Sequence, residues 1–134
     1  MDFITQCREE LARRFNLSAA ALQAEHLLVN ADGGTLHVEF YEPADNVSVY
    51  SIAERALDGQ SGELPPQERY TLLRQMLQTN ADLSEWSLLR LYLDEERPGL
   101  AMDCSPLNCR DAAQFGAELQ GLLDAQATLR NILV

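Results

Sequence analysis

The chain has 134 residues, 46% of them hydrophobic, which is enough for one domain (1–134) with a real core and too apolar for a disordered chain. Its net charge is −11 and all ten basic residues are arginine; such a surface repels phosphate backbones and anionic lipid, so neither nucleic acid nor a membrane is an expected partner. No apolar run approaches the roughly 20 residues of a membrane span, and the opening MDFITQCREEL lacks the basic and apolar regions of a signal peptide, so a cytoplasmic location is the expectation.

Residues 2 to 15 are predicted to form an amphipathic helix. Phe3, Ile4, Cys7, Leu11 and Phe15 recur at helical spacing, and Asp2 is in place to cap the start. NLSAAALQAE is a connector with room for a short helical turn. HLLVNADGGTLHVEFYE is the clearest local signal in the chain. Two strand-like runs flank Asp32-Gly33-Gly34, which supplies the positive φ of a tight hairpin. In the second run Leu36, Val38 and Phe40 share one face, and Thr35, His37, Glu39 and Tyr41 share the other. EPADN is a turn, and VSVYSIAERAL is a third strand with Val47 and Val49 on one side and Tyr50 and Ile52 on the other.

DGQSGELPP is a surface loop. PQERYTLLRQMLQTN is a middle helix, with Pro66 in the first turn, Tyr70, Leu73, Met76 and Leu77 as its apolar stripe, and Asn80 as a left-handed stop. EWSLLRLYLDEERPGLAMDCS is a second hairpin, in which Leu89, Leu91 and Leu93 alternate with Leu88, Arg90 and Tyr92 and EERPG turns the chain. A last helix is expected from about Asn108 to Leu133, with Phe115, Leu119, Leu122, Gln126 and Leu129 near heptad spacing and Gly116 and Gly121 as points of close packing. The order is helix, three strands, helix, two strands, helix. It defines an α+β fold with an antiparallel sheet and helices packed on it.

Catalytic chemistry finds little support. A nucleophile needs a neighbouring base, and His26 and His37 share no local motif with Cys7, Cys104 or Cys109. An odd number of cysteines at irregular spacing is not a disulfide framework. Cys104 and Cys109 have the spacing of a zinc-ligand pair, but there is no second pair. Asp94, Glu95 and Glu96 fall in a turn, where a solvated surface is the ordinary reading. No dinucleotide or Walker motif is present. The expectation is therefore no catalytic residue, no metal and no cofactor. What remains is apolar surface. Three amphipathic helices and a sheet with apolar residues on both faces exceed what one sandwich hides, which favours an obligate dimer or a client-binding surface.

The element order, the acidity, and the stretches LLRQMLQTN (72–80), CREELARRFNL and LLVNADGGTLHVEF resemble the class I type III secretion chaperones, the Tir-chaperone family. The resemblance spans nearly the whole chain. Two departures stand out: ADLSEWSLL follows Asn80 where the family often has a Gly and a compact strand, and LRNILV ends the last helix without an aromatic. The resemblance implies a bacterial, non-catalytic homodimer. It would bind the N-terminal non-globular segment of a secreted effector and keep it ready for export, with the export ATPase as a further partner. By the same analogy Leu73, Met76, Leu77, Leu89 and Leu91 form the dimer seam, and Phe3, Ile4, Cys7, Leu11, Val38 and Phe40 meet the effector. The alternatives are a small α+β adaptor or regulator without a secretion role, which would bind a folded partner through a modest patch, and an enzyme with an unrecognised site.

Overall fold

The computed structural model describes residues 2–31, 34–52, 67, 71, 74, 75, 78, 88–94 and 97–133. Helix α1 (Phe3–Phe15) begins where the Asp2 carboxylate accepts the Thr5 N–H at 2.7 Å and ends at Asn16, whose left-handed backbone (φ 53°) sends its N–H to the Ala12 carbonyl. Arg13 and Arg14 stand in its last turn, where they complement the helix dipole. A single turn, α2 (Ala19–Leu22), is capped by Ser18.

Three strands follow: β1 (His26–Ala31), β2 (Gly34–Tyr41) and β3 (Asn46–Ile52). They form two antiparallel hairpins, with Leu27 opposite Val38 and Val38 opposite Val49. A 3-10 turn at Glu42–Ala44 joins β2 to β3 and closes on Asp45, which adopts φ 52°. Of the predicted middle helix, Gln67, Thr71, Arg74, Gln75 and Gln78 are described, and all five are helical and exposed. They fall on one face at steps of three and four, as the solvent side of an amphipathic helix should. Leu73, Met76 and Leu77 lie outside the described residues.

The second hairpin is β4 (Arg90–Asp94) and β5 (Arg97–Cys104). Its register, with Asp94 opposite Arg97, starts β5 inside the EERPG segment predicted as a turn. Pro98 is tolerated there because the pairing with β3 ends at Ile52–Gly99. The five strands lie in the order β1-β2-β3-β5-β4, all antiparallel.

Helix α3 (Ala112–Leu133) starts later than its heptad pattern suggested. Ser105 and Asn108 are used in a turn instead, Ser105 accepting the Cys109 N–H at 2.8 Å. Asp111 then accepts the Gln114 N–H at 2.9 Å, and the Gln114 side chain accepts from the Arg110 N–H.

Helices α1 and α3 pack together on one face of the sheet. The core between them holds Leu11, Leu36, Val38, Val49, Met102, Phe115, Leu119 and Leu122, each essentially inaccessible. Gly116 is where the helices touch. A Cβ there would sit 2.6 Å from Glu10 Oε1 and 2.9 Å from Arg14 Nη2. Glu10 cannot easily yield, since it accepts hydrogen bonds from both Arg13 and Arg14, and those guanidinium donors hold its carboxyl below the usual range. Sequence spacing named Gly116 as a close-packing point, and this contact is the reason. Gly121 is less constrained, facing Leu89 Cδ1 at 3.6 Å.

Candidate protein-binding face

Helices α1 and α3 cover one side of the sheet; on the other side the described residues form a partly exposed surface. On that open side, strand register builds the surface row by row. One row runs His26, Glu39, Ser48, Asp103 across β1, β2, β3 and β5. The next runs Leu28, His37, Tyr50, Ala101, Arg90 and includes β4. A third pairs Ile52, Gly99 and Tyr92.

Aromatic rings stack along these rows. His37 lies 4.7 Å from Tyr50 with planes 5° apart, and His26 lies 5.6 Å from His37. The Tyr50 hydroxyl donates to Glu39 at 3.2 Å, and partial burial, together with that carboxylate, raises the phenol above its ordinary pKa. The Ser48 hydroxyl donates to the Asp103 carboxylate. Between the two tyrosines lies an open depression of about 330 Å³, lined by Glu39, Ser48, Tyr50, Tyr92, Ala101 and Asp103 among others. Gly99 makes the Tyr92 wall possible. A Cβ at that position would stand 2.4 Å from the ring carbon Cζ, so only glycine lets the ring lie across the strand.

The outer edge of β1 is the second open feature. Phe40 N–H donates to the Glu25 carbonyl at 2.8 Å, which makes Glu25–Phe40 a hydrogen-bonded pair just before His26–Glu39. Bonding alternates along an antiparallel ladder. The N–H and C=O groups of His26, Leu28 and Asn30 therefore point away from β2 to the free edge. Leu28 itself is 63% exposed. Arg8 steadies this end of the sheet. Its guanidinium donates to the Leu22 and Ala24 carbonyls at 2.5 and 2.8 Å, lies 3.9 Å over the Phe40 ring, and pairs with Glu42 at 3.6 Å. That one side chain ties α1, the connector into β1, and β2 together.

The residues expected to meet a client are not on this surface. Phe3, Ile4, Cys7, Leu11, Val38 and Phe40 are all buried in the core, none more than 7% exposed. They form the contact between α1 and the sheet, and a surface partner cannot reach them while α1 is docked. Leu89 is likewise interior, and Leu91 is half-buried against the same core. The exposed open face is instead made of the alternate residues on the same strands, His26, Leu28, Glu39 and Asp103 among them, with Tyr50 and Tyr92 half-buried beside them.

The cysteines and histidines lie on opposite sides of the sheet. Cys7, Cys104 and Cys109 are buried in the helix-covered core, free of disulfides, and close enough to perturb one another's ionisation. Burial pushes the Cys7 thiol up to about 12 and raises Cys104 and Cys109 as well. Such thiols are neutral at physiological pH and poor nucleophiles. Among the described residues no group of His, Cys, Asp and Glu is arranged to hold a metal, and no helix is long and apolar enough to cross a membrane.

Taken together, the packed helices and the strand order define an α+β fold: one five-stranded antiparallel sheet with α1 and α3 packed against one side. Solved structures share it over nearly their whole length. A chain of the ExsC–ExsE complex is 17% identical, with a TM-score of 0.67 over 98% of this chain and 96% of that one. A chain of the HopA1–SchA chaperone–effector complex is 13% identical, with a TM-score of 0.65 over 95% and 91%. A chain of the heterodimeric ExoU–SpcU complex from the type III secretion system of Pseudomonas aeruginosa is 18% identical, with a TM-score of 0.67 over 93% and 95%. At these identities the likeness is one of fold. No family model and no curated protein matches the sequence.

Proposed function

We propose that this chain is a cytoplasmic type III secretion chaperone. It binds the N-terminal non-globular segment of a cognate effector, keeps that segment soluble and unfolded, and helps present it to the export apparatus. The observation that carries the reading is the near full-length fold match to chains of the ExsC–ExsE complex, a chaperone–effector complex and a complex from a type III secretion system. The free β1 edge supports it independently. An extended segment laid beside β1 gains main-chain bonds from His26, Leu28 and Asn30 and side-chain contacts on the open face. Ordering such a segment costs several kcal/mol, so an edge and a face used together suit the task better than either alone.

The active unit is proposed to be a homodimer. Its seam is formed by Leu73, Met76 and Leu77 of the middle helix with Leu91 of β4. The exposed polar strip of Gln67, Thr71, Arg74, Gln75 and Gln78 is consistent with an amphipathic helix in this segment. Leu73→Glu is expected to convert the dimer to monomer, or to aggregate, in light scattering; an unchanged dimer mass would remove this seam.

Leu28→Pro tests the edge. Its N–H points outward, so proline removes no ladder bond and the fold should melt within about 2–4 °C of wild type, edge positions being where strands tolerate proline. An incoming strand, however, loses a donor and meets the pyrrolidine ring. Affinity for the effector segment is expected to fall about tenfold, the equivalent of one hydrogen bond of about 1.4 kcal/mol. Unchanged affinity in isothermal titration would mean that no strand is added at β1. An adaptor that binds a folded partner through a modest patch predicts that unchanged result.

A further inference from the structure

The depression between Tyr50 and Tyr92 is a built feature that strand addition at β1 does not use. It begins one strand in from the β1 edge and spans β2, β3, β5 and β4. Its floor is opened by the small side chain of Ala101, opposite Tyr50 in register. Its walls are tyrosines, one held by the His37 stack and the other laid across Gly99. Its end is a row in which Ser48 separates two carboxylates, Glu39 and Asp103. None of its lining residues is basic. Arg90, opposite Ala101 in the same row as Tyr50, directs its guanidinium to the Leu89 carbonyl at 2.7 Å.

We infer that this depression takes an arginine side chain of the bound effector segment, an inference that rests on the chaperone reading above. The chemistry is that of a guanidinium receptor. The Cα atoms of the two acids stand two strand spacings apart, roughly 10 Å, and both carboxylates lean toward β3 between them, each reaching one of its hydroxyls. Each already accepts one hydroxyl hydrogen bond, from Tyr50 and from Ser48, and each keeps free lone pairs. Those hydroxyls fix the carboxylates without neutralising them. A planar guanidinium donates from two edges and can bond to both acids at once while its face lies against a tyrosine ring. The Arg8–Phe40 contact inside this same chain uses the same stacking geometry. A lysine ammonium offers no plane to stack and no pair of edges to share. The net charge of −11 draws such a segment in from solution. A client with arginine several residues from the segment added at β1 would thus be held at two separate places on the open face.

The test uses the full chain, isotope-labelled, with acetyl-Leu-Arg-Leu-amide as probe and the citrulline tripeptide as its uncharged isostere. The arginine peptide should shift the Tyr50, Ala101 and Asp103 amide signals saturably. The citrulline peptide should bind at least tenfold more weakly, and so should the arginine peptide to the Glu39→Gln/Asp103→Asn double variant. Raising salt from about 50 to 500 mM should weaken binding to the wild type, because exposed charge pairs are screened. Equal binding of the arginine and citrulline peptides, or shifts confined to other parts of the chain, would overturn the inference. So would groove signals that move on dilution without peptide, since they would mean that a second copy of this chain fills it. The citrulline comparison needs no mutant and stands even if the double variant misfolds. Effector-segment binding measured alongside separates the two claims. A wild type that binds an effector segment while the arginine peptide misses the groove loses only this inference, whereas a wild type that binds no effector segment loses the chaperone reading.

Discussion

Phe115→Ala is expected to destabilise the chain by about 3–5 kcal/mol, the ordinary cost of emptying a buried aromatic site. Among the described residues Phe115 is the largest fully buried side chain, and it sits in the first turns of α3, where that helix meets α1 and the sheet. Neither neighbour can collapse into the vacancy. The sheet is held by its ladders, and α1 is pinned through Glu10, Arg13 and Arg14 beside Gly116. Domains of this size have only about 5–15 kcal/mol in total, so the variant should lose from about a fifth to all of its stability. A urea titration at fixed protein concentration should show a lower midpoint with an unchanged slope. Leu107→Ala is the control. That leucine is 98% exposed and should shift stability by no more than about 0.5 kcal/mol. Equal effects of the two substitutions would mean that α3 is not docked as described.

Alkaline pH should destabilise the fold strongly through the three buried thiols. Burial raises Cys7 from 9.0 to about 12, and Cys104 and Cys109 move in the same direction. Below pH 9 the thiols are protonated whether the chain is folded or not, and their burial stabilises in full. Above pH 9 the unfolded chain releases thiol protons that the folded chain retains, so stability falls until the pH passes the folded values. Each thiol contributes a slope of up to roughly 1.4 kcal/mol per pH unit in that window. Tyr50, also raised, adds in the same sense near its own range. Thermal melts in reductant should be flat from about pH 7 to 8.5 and drop steeply by pH 10.5, with Cys7→Ala giving a shallower fall. A melting temperature that holds steady to pH 10.5 would contradict the burial of these groups.

The architecture was legible where local pattern and tertiary need coincide. Leu36, Val38 and Phe40 alternate at period two because α1 and α3 pack on that face of β2, and the structure buries those three. The α1 stripe of Phe3, Ile4, Cys7 and Leu11 was equally plain. What that stripe touches was not legible. A 100° apolar face has the same spacing whether it meets its own sheet or another chain, and here it meets the sheet. The boundary errors have local causes. Ser105, Asn108 and Asp111 compete for the start of α3 with side-chain caps that a heptad count ignores. EERPG read as a five-residue turn, but the register continues to Asp94–Arg97.

The open face could be read only in part. That Thr35, His37, Glu39 and Tyr41 share one side of β2 follows from alternation alone. That Glu39, Ser48 and Asp103 form one row across three strands does not, because it depends on long-range register between β3 and β5. Gly99 offered the one available sequence signal. A glycine two residues before Ala101 in a strand marks a place where something lies close against the backbone, and the Tyr92 ring is what lies there.

The chaperone reading is tested most directly by expressing the tagged chain in its native cell, identifying the secreted protein that co-purifies with it and weighing the purified complex by light scattering. The account predicts one stable species of two copies of this chain to one effector, with the effector's N-terminal segment unprotected in hydrogen exchange except where it crosses the open face. A chain that purifies as a monomer without a client, or that binds only a fully folded partner, would contradict it.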